Sequence, residues 1–221
     1  MRKPEGKVKK IYIFAGGTIA ENIGEIIFAD GDLVIAVDSG AQALFARGIV
    51  PDYFLGDFDS IDGKLMDLIK QKYPEQIFAF PAVKNETDSE LALLFALKFK
   101  PEKILLYGAT GTRIDHIMAN VNILLQAEEQ GVNAVIRDAH NCVQLLLPKR
   151  LLHLTKGEYQ FLSLLAFSEQ VKGLQGTGLK YPLDNLTLMH GSTRGLSNEL
   201  IEDSATISID QGVLLVIESK D

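Results

Sequence analysis

Short apolar runs alternate with stretches of helical spacing through the first two thirds of the chain. The runs predict strands at Ile11–Ala15, Leu33–Val37, Tyr53–Leu55, Ile77–Phe80, Lys103–Tyr107, Val132–Arg137 and Cys142–Leu147. Apolar residues at helical intervals predict helices over Ala41–Arg47, Ile61–Tyr73, Ser89–Phe99 and Asp115–Gln130. Strands and helices that alternate at these lengths predict an α/β fold with a parallel sheet flanked by helices.

The pattern changes near Pro148, after which no long helical repeat occurs. Short strands are predicted at Tyr159–Phe167, Gly178–Tyr181, Asn185–Met189, Ala205–Ile209 and Val213–Glu218, separated or punctuated by glycines. This is typical of a small antiparallel sandwich. We therefore predict two domains, an α/β domain over residues 1–148 and an all-β sandwich over residues 149–221.

Composition narrows the classes of partner. The 221 residues carry a formal net charge of −7, which argues against nucleic-acid binding through overall charge. The negative charge does not exclude binding of a phosphate-bearing small molecule, provided that a cation lies between the phosphates and the acidic side chains. The single cysteine, Cys142, excludes an internal disulfide and suits a reducing cytoplasm. Neither a signal peptide nor an apolar stretch of the roughly 18 residues that a membrane helix needs is evident, so we expect a cytoplasmic protein without a membrane partner.

Polar residues follow four of the predicted strands, where open α/β sheets bind their ligands. They are Asp38 after the second strand, Asp57 and Asp59 after the third, Lys84, Thr87 and Asp88 after the fourth, and Arg113, Asp115 and His116 after the fifth. Each position alone is explained by turn formation, helix capping or surface exposure. Together they predict one site at the carboxyl edge of the sheet.

The stretch GDFDS, residues 56–60, places two carboxylates two residues apart. Capping of the next helix by Asp59 or Ser60 would explain one acid and leave Asp57 unexplained. Carboxylates without histidine or cysteine partners at zinc spacing suit Mg²⁺. We therefore interpret Asp57 and Asp59 as ligands of a magnesium ion that carries nucleotide phosphates, with Asp88 as a possible third carboxylate.

Two further stretches contain groups suited to phosphate. In KNETDSE, Thr87 and Glu90 form a capping box, and the helix N-terminus that they start also favours anions. In GATGTRIDHIMAN, Arg113 can fork onto phosphate oxygens, while His116 and Asn120 lie four residues apart on one helix face.

The motifs DSG at 38–40, GDFDS, KNETDSELAL and GATGTRIDHIMAN, in this order and spacing, resemble thiamine pyrophosphokinases. The stretch GSTRGLSNE at 191–199 resembles the thiamine-site segment of that family. One departure is Ser39, where the family often has glycine, so a backbone conformation that needs glycine would be in question there.

The resemblance implies an α/β nucleotide domain, a C-terminal β-sandwich, and a homodimer that binds thiamine between the sandwich of one subunit and the α/β domain of the other. It implies Mg²⁺-dependent transfer of pyrophosphate from ATP to the thiamine hydroxyl, giving thiamine diphosphate and AMP.

By matched motif, Asp57, Asp59 and Asp88 would hold the metal, and Arg113 and His116 would contact phosphates or stabilise developing charge. The remaining ATP-binding residues would be Asp38, Ser39, Ser60, Lys84, Thr87, Asp115 and Asn120. Of these, Lys84 would touch the transferred group or thiamine. Asp115 would help to hold either the metal or the ribose. Ser192, Ser197 and Asn198 would contact thiamine; no general base is singled out.

Three alternatives remain open at this stage. DFDS also fits the acidic motif of phosphatases that use an aspartate nucleophile, which would make Asp57 that nucleophile. A nucleotide or thiamine sensor without chemistry could use the same scaffold. A pyrophosphokinase could also act on a different alcohol, although the segment 191–199 favours thiamine.

Overall fold

The computed structural model describes residues 7–19, 26–81 and 85–221, and the chain divides into two compact units, Met1–Ala139 and His140–Asp221. The strands of the first unit are β1 (Lys10–Phe14), β2 (Leu33–Val37), β3 (Tyr53–Gly56), β4 (Ile77–Ala79), β5 (Lys103–Tyr107) and β6 (Asn133–Arg137). Its helices are α1 (Gly40–Phe45), α2 (Gly63–Lys72), α3 (Asp88–Leu97) and α4 (Ile114–Glu129), with a 3₁₀ turn at Pro74–Gln76.

The strands of the first unit pair in the order β4-β3-β2-β1-β5-β6, and every one of these pairings is parallel. The central strand β2 is buried along its whole length, as expected for a parallel strand covered on both faces. One core cluster joins Phe14 and Phe54 of the sheet to Leu44 of α1 and Ile69 of α2. The sheet therefore directs the carboxyl ends of its strands to one common edge.

The second unit consists of strands only. They are β7 (Asn141–Leu146), β8 (Leu152–Thr155), β9 (Phe161–Ala166), β10 (Gln170–Thr177), β11 (Leu183–Met189), β12 (Ser204–Ser208) and β13 (Leu214–Ser219). Strands β7, β13 and β9 pair antiparallel in that order, and so do β11, β10, β12 and β8. Their inner faces share one aliphatic core, in which Leu164 and Val216 from the first group meet Val171 and Ile207 from the second. This is the sandwich predicted from the sequence, and the predicted fold class is confirmed.

In the second unit, one predicted strand does not form and two observed strands have no counterpart in the prediction. The predicted strand Gly178–Tyr181 is wrong, because its pairing is an isolated bridge between Leu179 and Leu200. Strands β8 and β10 were not predicted. Two glycines that looked like punctuation lie inside β10: Gly173 has φ +66° at a shift in register, and a Cβ on Gly176 would come within 2.9 Å of Leu183. Glycine here marks a bulge and a close contact rather than the end of a strand.

The division at Ala139 and His140 lies nine residues before the sequence-based boundary at 148 and 149, which stays a prediction. Among the described residues, no helix is both long enough and apolar enough to cross a membrane.

The first residue of α2 is fixed by Asp62. Its Oδ1 accepts hydrogen bonds from Lys64 N and Leu65 N, both at 3.1 Å, which is N-cap geometry. Capping of α2 by Asp59 or Ser60 is therefore excluded, so capping does not explain the two acids of GDFDS. The predicted cap of α3 is confirmed, because Thr87 Oγ1 accepts from Glu90 N at 3.2 Å.

We predict that Asp62→Ala lowers the free energy of unfolding by about 1 kcal/mol, because it removes the acceptor for two main-chain N–H groups of α2. Urea denaturation measures the change. Asp67→Ala serves as the matched control, since Asp67 lies exposed in the middle of the same helix and outside the cap. Equal losses in both variants would contradict the capping role.

Candidate active site

A cavity of about 470 Å³ lies at the carboxyl edge of the sheet in the first unit. Backbone from the loops after β1, β2 and β5 forms part of its wall, and the N-terminal turns of α3 and α4 form another part. The residues predicted for the site that line it are Asp38, Ser39, Ser60, Thr87, Asp88, Arg113, His116 and Asn120. The segments that follow five separate strands, β1 to β5, thus converge on one cavity.

Four predicted residues are placed differently. Asp57, Asp59 and Asp115 do not belong to the cavity lining, although Asp57 and Asp59 adjoin Ser60, and Asp115 adjoins His116. Lys84 lies outside the described residues. The cavity wall therefore contains one of the three predicted metal carboxylates, Asp88, and the other two lie on the loop that leads to it.

Main-chain contacts between two loops close one side of the cavity. Gly17 N donates to Gly108 O, and Thr18 N donates to Thr110 O, both at 2.9 Å. A Cβ on Gly17 would lie 2.2 Å from Thr110 O, so only glycine fits there. The loop after β1 was not assigned to the site from the sequence. Its signal was the Gly16–Gly17 pair directly behind a predicted strand, which permits this close approach of backbones.

Serine at position 39 fits without strain. Ser39 is the N-cap of α1 and has φ −62° and ψ −12°, an ordinary right-handed conformation. Two neighbours carry the unusual geometry instead. Asp38 has φ 45°, and a Cβ on Gly40 would lie 2.0 Å from Phe14 O. The requirement for glycine therefore falls on residue 40, and the departure from the family pattern at residue 39 has no conformational cost.

Short polar contacts shape the acid loop, which we define as residues 56–60. Asp57 Oδ1 accepts from Asp59 N at 3.2 Å, and Ser60 Oγ donates to Asp59 Oδ1 at 2.6 Å. Gln42 of α1 donates from Nε2 to Ser60 O at 3.0 Å. Asp57 is half-buried and Asp59 is exposed. Both carboxylates thus keep contact with solvent beside the cavity.

The donor set suits a hard cation held jointly with a substrate. Carboxylate oxygens are the ligands that Mg²⁺ prefers, and this ion is commonly held by one or two carboxylates together with water and substrate phosphates. In the part of the chain that the structure describes, no three His, Cys, Asp or Glu side chains group closely enough to hold a metal by themselves. The carboxylates therefore fit a hard divalent cation that is held jointly with substrate phosphates.

An exposed ion pair fixes the guanidinium at the start of α4. Arg113 Nε and Nη2 donate to the two carboxylate oxygens of Asp115 at 3.2 and 2.5 Å. The hydrogen bond from Arg113 lowers the pKa of Asp115, and the same bond raises the pKa of Arg113. Arg113 borders the cavity whereas Asp115 does not, so the ion pair lies at the cavity rim, exposed to solvent.

Asn120 lies one helical turn after His116 and faces the same cavity. Its side chain is buried, and Nδ2 donates to Ala109 O at 2.7 Å. This bond ties α4 to the loop after β5. The amide nitrogen thus supports the cavity wall, while His116 offers an imidazole to whatever occupies it.

In the second unit, Asn198 holds the segment 191–199 in place. Its Oδ1 accepts from Tyr181 N at 3.0 Å and Glu199 N at 2.9 Å, and its Nδ2 donates to Tyr181 O at 2.9 Å. The neighbouring Ser197 has φ 55°, and its N–H donates to Ser163 Oγ at 3.2 Å. Ser192 Oγ accepts from Arg194 N at 3.3 Å. The amide of Asn198 is engaged with main chain, so its role here is to shape the segment that carries the two serines.

Comparison with known proteins finds the same family for the N-terminal and the C-terminal part of the chain. Residues 25–136 match the family model described as thiamin pyrophosphokinase, catalytic domain, and residues 149–214 match the thiamin pyrophosphokinase vitamin B1 binding domain. The thiamine pyrophosphokinase of Bacillus subtilis is 36% identical over 197 residues, which cover 86% of this chain and 88% of that protein.

Solved structures give the same result. A crystal structure of thiamine pyrophosphokinase from Bacillus subtilis superimposes with a TM-score of 0.88 at 35% identity, covering 96% of this chain and all of that one. One from Geobacillus thermodenitrificans gives 0.85 at 34% identity, with 96% and 98% covered. The yeast enzyme shares the fold, with a TM-score of 0.76 at 16% identity and coverage of 98% and 88%.

The resemblance stated from the motifs is thereby confirmed over nearly the whole chain. Enzymes of this family use ATP and a divalent metal to form thiamine diphosphate. The cavity, the motifs and the matches to both family models lead to one assignment: this chain belongs to the thiamine pyrophosphokinase family.

Proposed function

We propose that this chain transfers the pyrophosphoryl group of ATP to the hydroxyl of thiamine, releasing thiamine diphosphate and AMP, with Mg²⁺ as the metal. The observation that carries the proposal is the cavity at the carboxyl edge of a parallel sheet, which Asp88, Arg113 and His116 all line. The acids alone would repel a phosphate-bearing substrate at this position, and the Arg113 guanidinium together with a metal ion would offset that repulsion.

Asp57, Asp59 and Asp88 are the residues that would hold Mg²⁺ on the phosphates. When bound, the ion would neutralise charge on the phosphate oxygens. The hydrogen bonds within the acid loop support this role, because they orient the carboxylates of Asp57 and Asp59 without burying either of them. The α2 cap is supplied by Asp62, so neither of these acids is needed for capping.

Arg113 and His116 would contact the phosphates from the start of α4. Phosphoryl transfer depends mainly on positioning and on neutralising charge, and a guanidinium held by Asp115 is already oriented for this. Asp38, Ser39, Ser60 and Thr87 would surround the nucleotide. Asn120 would act on it through the loop that it fixes, and Lys84 would reach the transferred group.

The thiamine site would lie on the sandwich, with Ser192 and Ser197 touching the substrate and Asn198 shaping the segment between residues 191 and 199. We propose that residues 1–148 bind ATP and residues 149–221 bind thiamine. Two copies of the chain would form a homodimer, each site combining the α/β domain of one subunit with the sandwich of the other. The reaction would take place in the cytoplasm.

The first expected outcome concerns the products. With ATP, Mg²⁺ and thiamine, the protein should form AMP and thiamine diphosphate in equal amounts, measured by chromatography. EDTA and the omission of thiamine should each abolish both products. Inorganic phosphate released without thiamine would indicate the phosphatase alternative, and ATP binding without AMP would indicate a sensor.

We expect Asp59→Asn to reduce kcat/KM by roughly 10²-fold, because it removes one carboxylate charge beside the phosphates. The thermal midpoint should stay unchanged, since Asp59 is exposed and contributes no core packing. Asp67→Asn on α2 is the matched control for removing an exposed acid. Normal turnover of Asp59→Asn at limiting Mg²⁺ would contradict the metal assignment.

Ser197→Ala should raise the KM for thiamine about three- to tenfold, because the loss of one hydrogen bond between neutral groups weakens binding by about that factor. The KM for ATP should change less. Steady-state kinetics with each substrate varied in turn measures the two constants. Ser204→Ala, an exposed serine of β12, is the control. Equal effects on both constants would mean that Ser197 acts elsewhere than on thiamine.

A further inference from the structure

Asp38 and Phe58, which follow neighbouring strands, both adopt left-handed backbone conformations. Asp38 has φ 45° and Phe58 has φ 63°, a region that residues other than glycine rarely occupy. The two are joined directly, because Phe58 N donates to Asp38 Oδ1 at 3.2 Å. Asp38 N donates to Leu55 O at 3.0 Å, which extends the pairing of the two strands to the start of the acid loop. The carboxylate of Asp38 thus belongs structurally to the loop that contains Asp57 and Asp59.

Gly56 makes room for this carboxylate. Its φ is +137°, and a Cβ added to it would lie 1.8 Å from Asp38 Oδ1 and 2.6 Å from Asp38 Cγ. Its carbonyl accepts a hydrogen bond from Phe80 N at 2.9 Å, which ties Gly56, the last residue of β3, to the residue that follows β4. The carboxylate of Asp38 therefore occupies the space that any other side chain at position 56 would fill.

The ring of Phe58 anchors the middle of the acid loop. Phe58 packs against the core cluster that contains Phe54 and Leu44, whereas Asp59 beside it is exposed. With its ring held by the core and its N–H held by Asp38, Phe58 has a fixed position. The orientation of the two flanking carboxylates then depends on these two attachments.

We propose that Asp38 is a positioning residue: its carboxylate, seated over Gly56 and bonded to Phe58 N–H, holds the acid loop in the shape in which Asp57 and Asp59 can receive a divalent cation with its phosphates. This inference rests on the proposed function of Asp57 and Asp59. It differs from the expectation that Asp38 acts by touching the nucleotide, because a loop acceptor needs an oxygen at this place and does not need a negative charge.

The test uses Asp38→Ala, Asp38→Asn and Gly56→Ala in the full chain, with Gly63→Ala as control. Asparagine keeps an oxygen that can accept from Phe58 N–H, and alanine does not. The Gly56 variant keeps Asp38 but puts a methyl group in the place of its carboxylate, and it also strains the backbone at φ +137°. Gly63 begins α2, and a Cβ there meets nothing within 4 Å.

Two measurements besides turnover decide the result. Calorimetry gives the affinity for ADP with and without Mg²⁺, and hydrogen exchange gives the protection of the Phe58 amide. We expect Asp38→Ala and Gly56→Ala each to lower the Mg²⁺-dependent affinity about tenfold or more and to speed exchange at Phe58. Asp38→Asn should lose several-fold less than Asp38→Ala, and Gly63→Ala should match the unmodified protein.

A double-mutant cycle with Asp59→Asn adds a second criterion. If Asp38 acts through the acid loop, Asp38→Ala should change the affinity far less in the Asp59→Asn background than alone. Additive losses, or an Asp38→Asn variant as damaged as Asp38→Ala, would overturn the proposal and make Asp38 a direct ligand. If Asp38→Ala does not fold, Asp38→Asn still decides between the two roles, because it keeps an acceptor oxygen and removes the negative charge: an affinity within several-fold of the unmodified protein supports positioning, and a loss of tenfold or more makes Asp38 a direct ligand. Failure of the unmodified protein to form thiamine diphosphate would overturn the proposed function separately, since binding of ADP is measured without turnover.

Discussion

The close approach of loops at the carboxyl ends of β2, β1 and β5 is the constraint on which the site depends. A Cβ on Gly40 would lie 2.0 Å from Phe14 O, and one on Gly108 would lie 2.3 Å from Ala15 O. Parallel pairing brings these ends to one edge, and glycine lets the backbones touch there. Because main chain fills the space between the loops, the side chains of the residues that follow β2 and β5, such as Asp38 and Arg113, can face a common cavity.

The electrostatics of the site follow from the same arrangement. Carboxylates come from the loops after β2 and β3 and from the start of α3, whereas the cationic group Arg113 comes from the start of α4. A triphosphate in this cavity would meet repulsion on one side and attraction on the other. A divalent cation on the acidic side would convert the repulsion into attraction, so acids and the Arg113 guanidinium are compatible with one anionic ligand in the same cavity.

Local sequence predicted the elements of the first unit well, because each strand is a separate apolar run and both faces of the sheet are covered. Prediction from local sequence failed where one residue type can serve two structural purposes. Gly173 and Gly176 lie inside β10, although glycine is more often found between strands. In GDFDSID, three acids precede α2, and the cap turned out to be the third, Asp62. Which acid caps a helix depends on where its backbone turns, and composition does not reveal that.

The site residues show the same limit at the level of single side chains. Asn120 and Asn198 stand in two of the stretches that resemble the family, yet both are buried and both donate to main-chain carbonyls. Asn198 also accepts two N–H groups, a set of bonds that neither aspartate nor leucine could make. An amide in a binding motif can therefore be required for the shape of a loop rather than for contact with substrate. The same reasoning applies to Asp38, whose carboxylate accepts a hydrogen bond from the main chain of Phe58.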